Sequence, residues 1–201
     1  MLRVGLTGGL ATGKSFVGHA LAGLGCHLIE ADELGHAVLL PDGEAYPGVV
    51  REFGPAILDP QGLIDRKKLG ALVFGNPELL EKLNAQVHPP VGRRQARLIA
   101  EIAARDPQAI VVVAAAILVE TGSYKRFDRL IVVTCTLEQQ IERAMKRGPF
   151  SREDVLARLS RQLPAEDKVR VANYVIDTSG AKENTLQQVQ AVYGSLRSLS
   201  V

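Results

Sequence analysis

RVGLTGGLATGKS, residues 3–15, carries a short apolar run into three glycines, a lysine and a serine. Gly8, Gly9 and Gly13 can adopt backbone angles closed to other residues and let a backbone approach a ligand closely. The spacing Gly8-x-x-x-x-Gly13-Lys14-Ser15 is that of a phosphate-binding P-loop. Val4 to Thr7 supplies the preceding strand, and KSFVGHALAGLG, from Lys14, supplies a helix with apolar residues at Phe16, Val17, Ala20, Leu21 and Leu24. The bland alternative is a glycine-rich turn that precedes a helix; the presence of both flanks favours phosphate binding. Backbone N–H groups through Gly8, Gly9, Leu10, Ala11, Thr12 and Gly13, with the positive end of the helix, would hold phosphate oxygens. Lys14 would reach the β and γ phosphates, and the Ser15 hydroxyl would take one position on Mg²⁺. The chain is expected to bind a nucleoside triphosphate.

The rest of the chain bounds what surrounds that loop. It has 201 residues, 46% hydrophobic and 23% charged, with a formal charge of +2, values of an ordinary globular domain able to bury a core. So small a charge gives no argument for nucleic acid or a membrane as partner. The longest apolar run, AIVVVAAAILV from Ala109 to Val119, is shorter than the about 20 residues a bilayer crossing needs and reads as a buried parallel strand. Glycines interrupt the first apolar stretch, so no signal peptide is expected, and a cytoplasmic location is the default. Cys26 and Cys135 lie in apolar, strand-like segments and read as buried free thiols.

Strands are expected at Leu2 to Thr7, His27 to Glu30, Ala109 to Ala115, Arg129 to Cys135 and Tyr174 to Asp177. Helices are expected at Lys14 to Leu24, Leu137 to Arg147 and Lys182 to Arg197. This alternation predicts an α/β fold: a P-loop NTPase-type parallel sheet with helices on both faces. Residues 1–31 and 106–201 would form that core, with a short lid near 143–163. Residues 32–105 read as a helical acceptor-binding insertion, in which Pro77, Pro89 and Pro90 mark helix starts or breaks.

Strand two ends in IEAD, residues 29–32, so Asp32 would emerge on the rim that carries the loop. A carboxylate there suits a base that orients an attacking hydroxyl, or equally a cap for a helix starting at Glu33. Arg143 and Arg147 share a helix face, Gly148-Pro149 breaks that helix, Ser151 caps the next and Arg152 follows. Arginines on such a hinged element could close over a phosphoryl group, or simply complement a helix end. His88, before two prolines, reads as a loop or helix-end residue. No zinc-type Cys/His spacing and no GxSxG elbow occur, which leaves phosphoryl transfer.

The ordered series of segments resembles the dephospho-CoA kinase family over nearly the whole chain. VGLTGGLATGKS is similar to that family's GLTGGIGSGKS, and IEAD to its IDAD. GLIDRKKLGALVF and LNAQVHPPV resemble its IDR and HP segments. ILVETGSYKRFDRLIVV resembles PLLVE followed by a strand, and RLSRQLPAEDKVRVANYVIDTSG resembles its R…Q…EK…AD.VIDN.G pattern. The resemblance implies ATP-dependent phosphorylation of the ribose 3′-hydroxyl of dephospho-CoA, with ATP and Mg²⁺ held by Gly8 to Ser15 and the adjoining Phe16. It further implies Asp32 as base, Lys14 and Arg143 at the transferring group, Arg143 and Arg147 on ATP phosphates, and Ser179 and Gly180 against adenine. Arg66, Lys67 and His88, with Asp32, would line the dephospho-CoA site. A monomer or small homo-oligomer is expected. Glu30, Ala116, Asn173 and Thr178 depart from the family's residues, as does Phe16. Another P-loop small-molecule or nucleoside monophosphate kinase, or a regulatory NTPase, stays open on the P-loop alone.

Overall fold

Runs such as Ile110-Val-Val-Val-Ala114, in which no residue is polar, form strands only where both faces are covered. The computed structural model, which describes residues 1–73 and 75–200, shows that cover. Strands β1 (Leu2–Gly8), β2 (His27–Glu30), β3 (Ile110–Ala114), β4 (Arg129–Thr134) and β5 (Tyr174–Asp177) form a parallel sheet in the order β2-β3-β1-β4-β5. In chain order the helices are α1 (Lys14–Gly23), α2 (Ala31–Ala37), α3 (Tyr46–Phe53), α4 (Arg66–Val73), α5 (Pro77–Arg105), α6 (Leu137–Arg147), α7 (Arg152–Leu159), α8 (Ala165–Arg170) and α9 (Lys182–Leu199).

Residues Met1–Glu30 and the chain from Ile102 onward make one compact unit; Ala31–Glu101 makes the other. In the first unit, α1 and α9 cover one face of the sheet. Val17 and Leu21 of α1, with Val189 and Leu196 of α9, pack on Val4, Leu6, Val112, Ile131 and Ile176. The alternate residues Val111, Val113, Leu130 and Val132 are buried on the opposite face. There a Cβ added to Gly5 would meet Phe127, Leu118 and Leu130 at 3.0 to 3.1 Å, so the side chains around β1 already fill that space. The second unit has its own core of Val38, Val49, Ile57, Leu69 and Val73, against which Leu83, Val87 and Val91 of α5 pack.

The order of the strands positions the site. The connection leaving β1 runs toward β2, that leaving β4 runs toward β5, and the two strands are neighbours. Their carboxyl ends therefore border the crevice where open parallel sheets take ligands. Gly8 pairs in register with Val133 at this edge, and Thr134 with Asp177.

Pro89 and Pro90 do not break α5, which runs unbroken through them. Proline has no N–H, so the carbonyls of Ala85 and Gln86 lose their helical donors. Packing outweighs this loss: Pro90 is buried, and Val87 and Val91 on either side join the core of the second unit. His88 is thus an exposed mid-helix residue, not a loop or helix-end residue.

Leu21 is fully buried between α1 and the sheet. Leu21→Ala is expected to cost about 2–5 kcal/mol, the range for emptying a leucine site in a packed core. Urea unfolding would show it as a lower midpoint with an unchanged slope.

Candidate active site

Between β1 and α1 the chain makes a tight return. Gly13 has φ +92° and Ala11 φ +57°, so two left-handed residues curl the loop within three positions. For Ala11 this conformation costs on the order of 1 kcal/mol. The return is closed internally, with Thr12 donating its N–H at 3.3 Å and its hydroxyl at 3.0 Å to the Gly9 carbonyl. The loop delivers the chain to an α1 start that has no side-chain cap and no acidic residue in its first turn. With no acidic residue there, the positive end of its dipole suits an anion, the arrangement that binds phosphate. Lys14 opens the helix half-buried, while Ser15 and Phe16 are exposed.

Thr178, just beyond β5, ties this loop to its neighbours. Its hydroxyl donates to the Thr12 carbonyl at 2.6 Å and accepts from Arg143 Nη1 at 3.0 Å. Arg143 Nη2 donates to the Thr178 carbonyl at 2.7 Å, and Gln139 Nε2 to the Ser179 carbonyl at 2.7 Å. Asp177 shapes the turn by accepting from the Ser179 N–H at 2.9 Å and from its hydroxyl at 2.7 Å. The loop, Arg143 and the Ser179–Gly180 turn are therefore brought together.

Helix α6 starts on a Thr136–Gln139 capping box and α7 on a Ser151–Asp154 box, with Gly148 and Pro149 between them. Arg152 Nη1 donates to Glu138 Oε2 at 2.9 Å and its Nη2 contacts Oε1, which holds the Glu138 carboxyl below its ordinary range. Arg158 stacks 4.3 Å from the centroid of Phe150. Val155 of α7 is buried with Ile141 and Ala144 of α6 and with Ala11 of the loop. Arg147 lies exposed at the end of α6.

Beyond α7 the chain returns to the loop, where Gln162 Oε1 accepts the Leu10 N–H at 2.9 Å. Lys168 of α8 is 1% exposed and its Nζ lies 2.6 Å from Glu120 Oε1. A cavity of about 470 Å³ opens here, lined by Gly9, Thr12, Gln140, Gln162, Lys168 and the carboxyl end of β4. Gln162, Lys168 and Glu120 are absent from the residues expected of the site. Their partners lie 43 to 152 positions away, a separation no local spacing encodes.

In the second unit, α2 begins at Ala31, so Asp32 lies within its first turn and does not cap it. Arg66 and Lys67 are exposed at the start of α4, whose N–H groups at Lys67 and Lys68 are taken by Asp65 Oδ1. Burial pushes the His36 imidazole below its ordinary value. The Arg66 charge acts in the same direction, and the Asp32 and Glu33 carboxylates oppose it. Asp32, His36 and Arg66 thus share one electrostatic neighbourhood.

The departures from the family pattern have local accounts. Asn173 Oδ1 accepts the Leu130 N–H at 2.8 Å, a bond an aspartate oxygen could equally accept. The Thr7 hydroxyl donates to the Ala116 backbone carbonyl at 3.2 Å, which any residue there would supply. Glu30 Oε2 lies 3.9 Å from His19 Nε2. Cys26 and Cys135 are free thiols, buried and half-buried. Burial raises both, Cys26 to about 11, so they are protonated at neutral pH.

A family model described as dephospho-CoA kinase matches residues 2–184. The dephospho-CoA kinase of Aquifex aeolicus is 41% identical over 196 residues, 98% of each chain. That of Geobacillus kaustophilus is 41% identical over 191 residues, 95% of this chain and 94% of that one. A crystal structure of a Thermus thermophilus protein superposes with a TM-score of 0.81 at 33% identity, covering 97% of both chains.

Thr178→Val keeps the side chain's shape but removes the hydroxyl, leaving the Thr12 carbonyl and an Arg143 N–H unpaired. The expected loss is about 1–3 kcal/mol in urea unfolding, accompanied by weaker ATP binding in calorimetry because the loop loses its tie to β5.

Proposed function

The chain belongs to the dephospho-CoA kinase family, and from that membership we propose that it transfers the γ-phosphoryl group of ATP to the ribose 3′-hydroxyl of dephospho-CoA, giving CoA and ADP in the last step of coenzyme A synthesis. The observation that carries the reading is the loop from Gly8 to Ser15, curled by Ala11 and Gly13 onto the uncapped start of α1, in a chain that matches the family from residue 2 to 184.

In this reading the loop's N–H groups and Lys14 hold the triphosphate, and the adenine lies against Ser179 and Gly180. Arg143 has N–H donors beyond those engaged by Thr178, and with Arg147 it neutralises charge that builds on the phosphoryl oxygens. The exposed hydroxyl of Ser15 is a hard oxygen donor that fits Mg²⁺ and would hold it; the ion would supply Lewis-acid stabilisation of phosphate charge. Asp32, two residues beyond the carboxyl end of β2, accepts the proton of the ribose hydroxyl as it attacks. Arg66, Lys67 and His88 contribute to the dephospho-CoA site; the shared electrostatic environment of Asp32 and Arg66 supports this for Arg66. Among the described residues no helix is long and apolar enough to cross a membrane. The protein works in the cytoplasm as a monomer or small homo-oligomer, without nucleic acid.

Product analysis tests the reaction: dephospho-CoA should be phosphorylated at the ribose 3′-hydroxyl with a kcat/KM at least ~100-fold above that for AMP, since contacts to the remote pantetheine arm supply binding energy that AMP lacks. Equal efficiency with AMP would assign the chain a different acceptor. Asp32→Asn keeps the side chain's shape but cannot take a proton. It is expected to lower the single-turnover transfer rate about 100-fold while ATP affinity and melting temperature stay close to wild type. A wild-type transfer rate would remove Asp32 from the chemistry.

A further inference from the structure

Lys168 is buried and its partner Glu120 half-buried, so the pair sits largely away from water. Taking both charges out of water carries a desolvation penalty that their attraction often fails to recover, and an apolar pair of equal volume is commonly as stable. Its placement suggests another role. Glu120 Oε1 lies 2.6 Å from Lys168 Nζ and also accepts the Leu163 N–H at 3.3 Å. One carboxylate thus ties Leu163, in the connection that follows α7, to Lys168 within α8. The residue next to the held Leu163 is Gln162, whose Oε1 accepts the Leu10 N–H at 2.9 Å.

That bond falls on the residue before Ala11, which is held in the left-handed region without being a glycine. Such a conformation persists only where its surroundings over-determine it. Two contacts do so here: the Ala11 side chain, buried against Ile141 and Val155, and the Leu10 N–H on Gln162. We propose that Gln162, seated by the Glu120–Lys168 pair, is a positioning residue for phosphoryl transfer, fixing the phosphate loop at Leu10–Ala11 so that its N–H groups are aimed before ATP arrives. This rests on the reading of the loop as the ATP site. Because Gln162 lies three residues beyond the end of α7, it also makes the loop's shape depend on where α7 sits.

The test uses the full chain and three variants. Gln162→Met keeps length and removes the acceptor, Gln162→Asn keeps an amide too short to reach, and Gln162→Glu keeps an accepting oxygen. In Met and Asn, hydrogen exchange at the Leu10 N–H, followed by ¹⁵N NMR without nucleotide, should accelerate at least ~10-fold. The Kd for ATP should rise about 10-fold, with the melting temperature within ~3 °C of wild type. Glu should retain the Leu10 protection. Wild-type ATP affinity and turnover in both Met and Asn would overturn the proposal, whether or not Leu10 exchange changes. A large fall in melting temperature with normal kinetics at a permissive temperature would also overturn it, by making Gln162 structural. If the wild-type protein itself bound no ATP, the reading of the loop would fail, and this inference with it.

Discussion

The last residue of β1 has no room for a side chain. A Cβ on Gly8 would lie 2.6 Å from the Thr12 hydroxyl and 2.7 Å from the Val133 carbonyl, and the second of these is backbone in the neighbouring strand and cannot swing away. That close approach lets the chain fold straight back over the end of its own strand. The return carries the Thr12 carbonyl to Thr178, and Thr178 in turn holds Arg143. A side chain at position 8 would force the loop outward and undo each of these contacts in order. Gly13 works at the other end of the loop, where its positive φ sets the start of α1, a start with no side-chain cap.

The elements linking the loop to α7 differ greatly in what they contribute. The Arg152–Glu138 pair is bidentate but exposed at both ends. Pairs of that kind contribute little to stability and weaken with salt. Burying a valine such as Val155 contributes about 1.5–3 kcal/mol and is insensitive to salt. The apolar contact among Val155, Ile141, Ala144 and Ala11 therefore holds α7 near the loop, and the ion pair at its start acts mainly on direction. Since α6 and α7 each begin on a reciprocal side-chain cap, the Gly148–Pro149 break separates two well-terminated helices.

Features written in local sequence were legible before the structure. The glycine spacing from Gly8 to Ser15 fixed the loop, uniform apolar runs marked β3 and β4, and Gly148-Pro149 followed by Ser151 marked the α6–α7 junction. The misreadings have physical causes. Prolines after His88 signal a helix end locally, yet burial of Pro90 and its valine neighbours carries α5 past them. The alternative of Asp32 as a cap failed because α2 begins at Ala31, ahead of the carboxylate rather than after it. Thr178 stands where the family's pattern has asparagine, and its partners are not legible from that position. Its hydroxyl meets a carbonyl 166 residues away and a guanidinium 35 residues away, and only the folded sheet brings these together.

The strand lengths carry one more consequence. The two edges of the sheet, β2 and β5, have four residues each, against seven in the central β1. A parallel sheet with long bare edges is a template on which another polypeptide can add a strand and begin a fibre. Here each edge offers only a few backbone groups. On β5 one of the flanking donors, the Asp177 N–H, is already taken by Gln188 Oε1 at 2.9 Å. The sheet that supports the loop thus offers little at its own margins for a further strand to pair with.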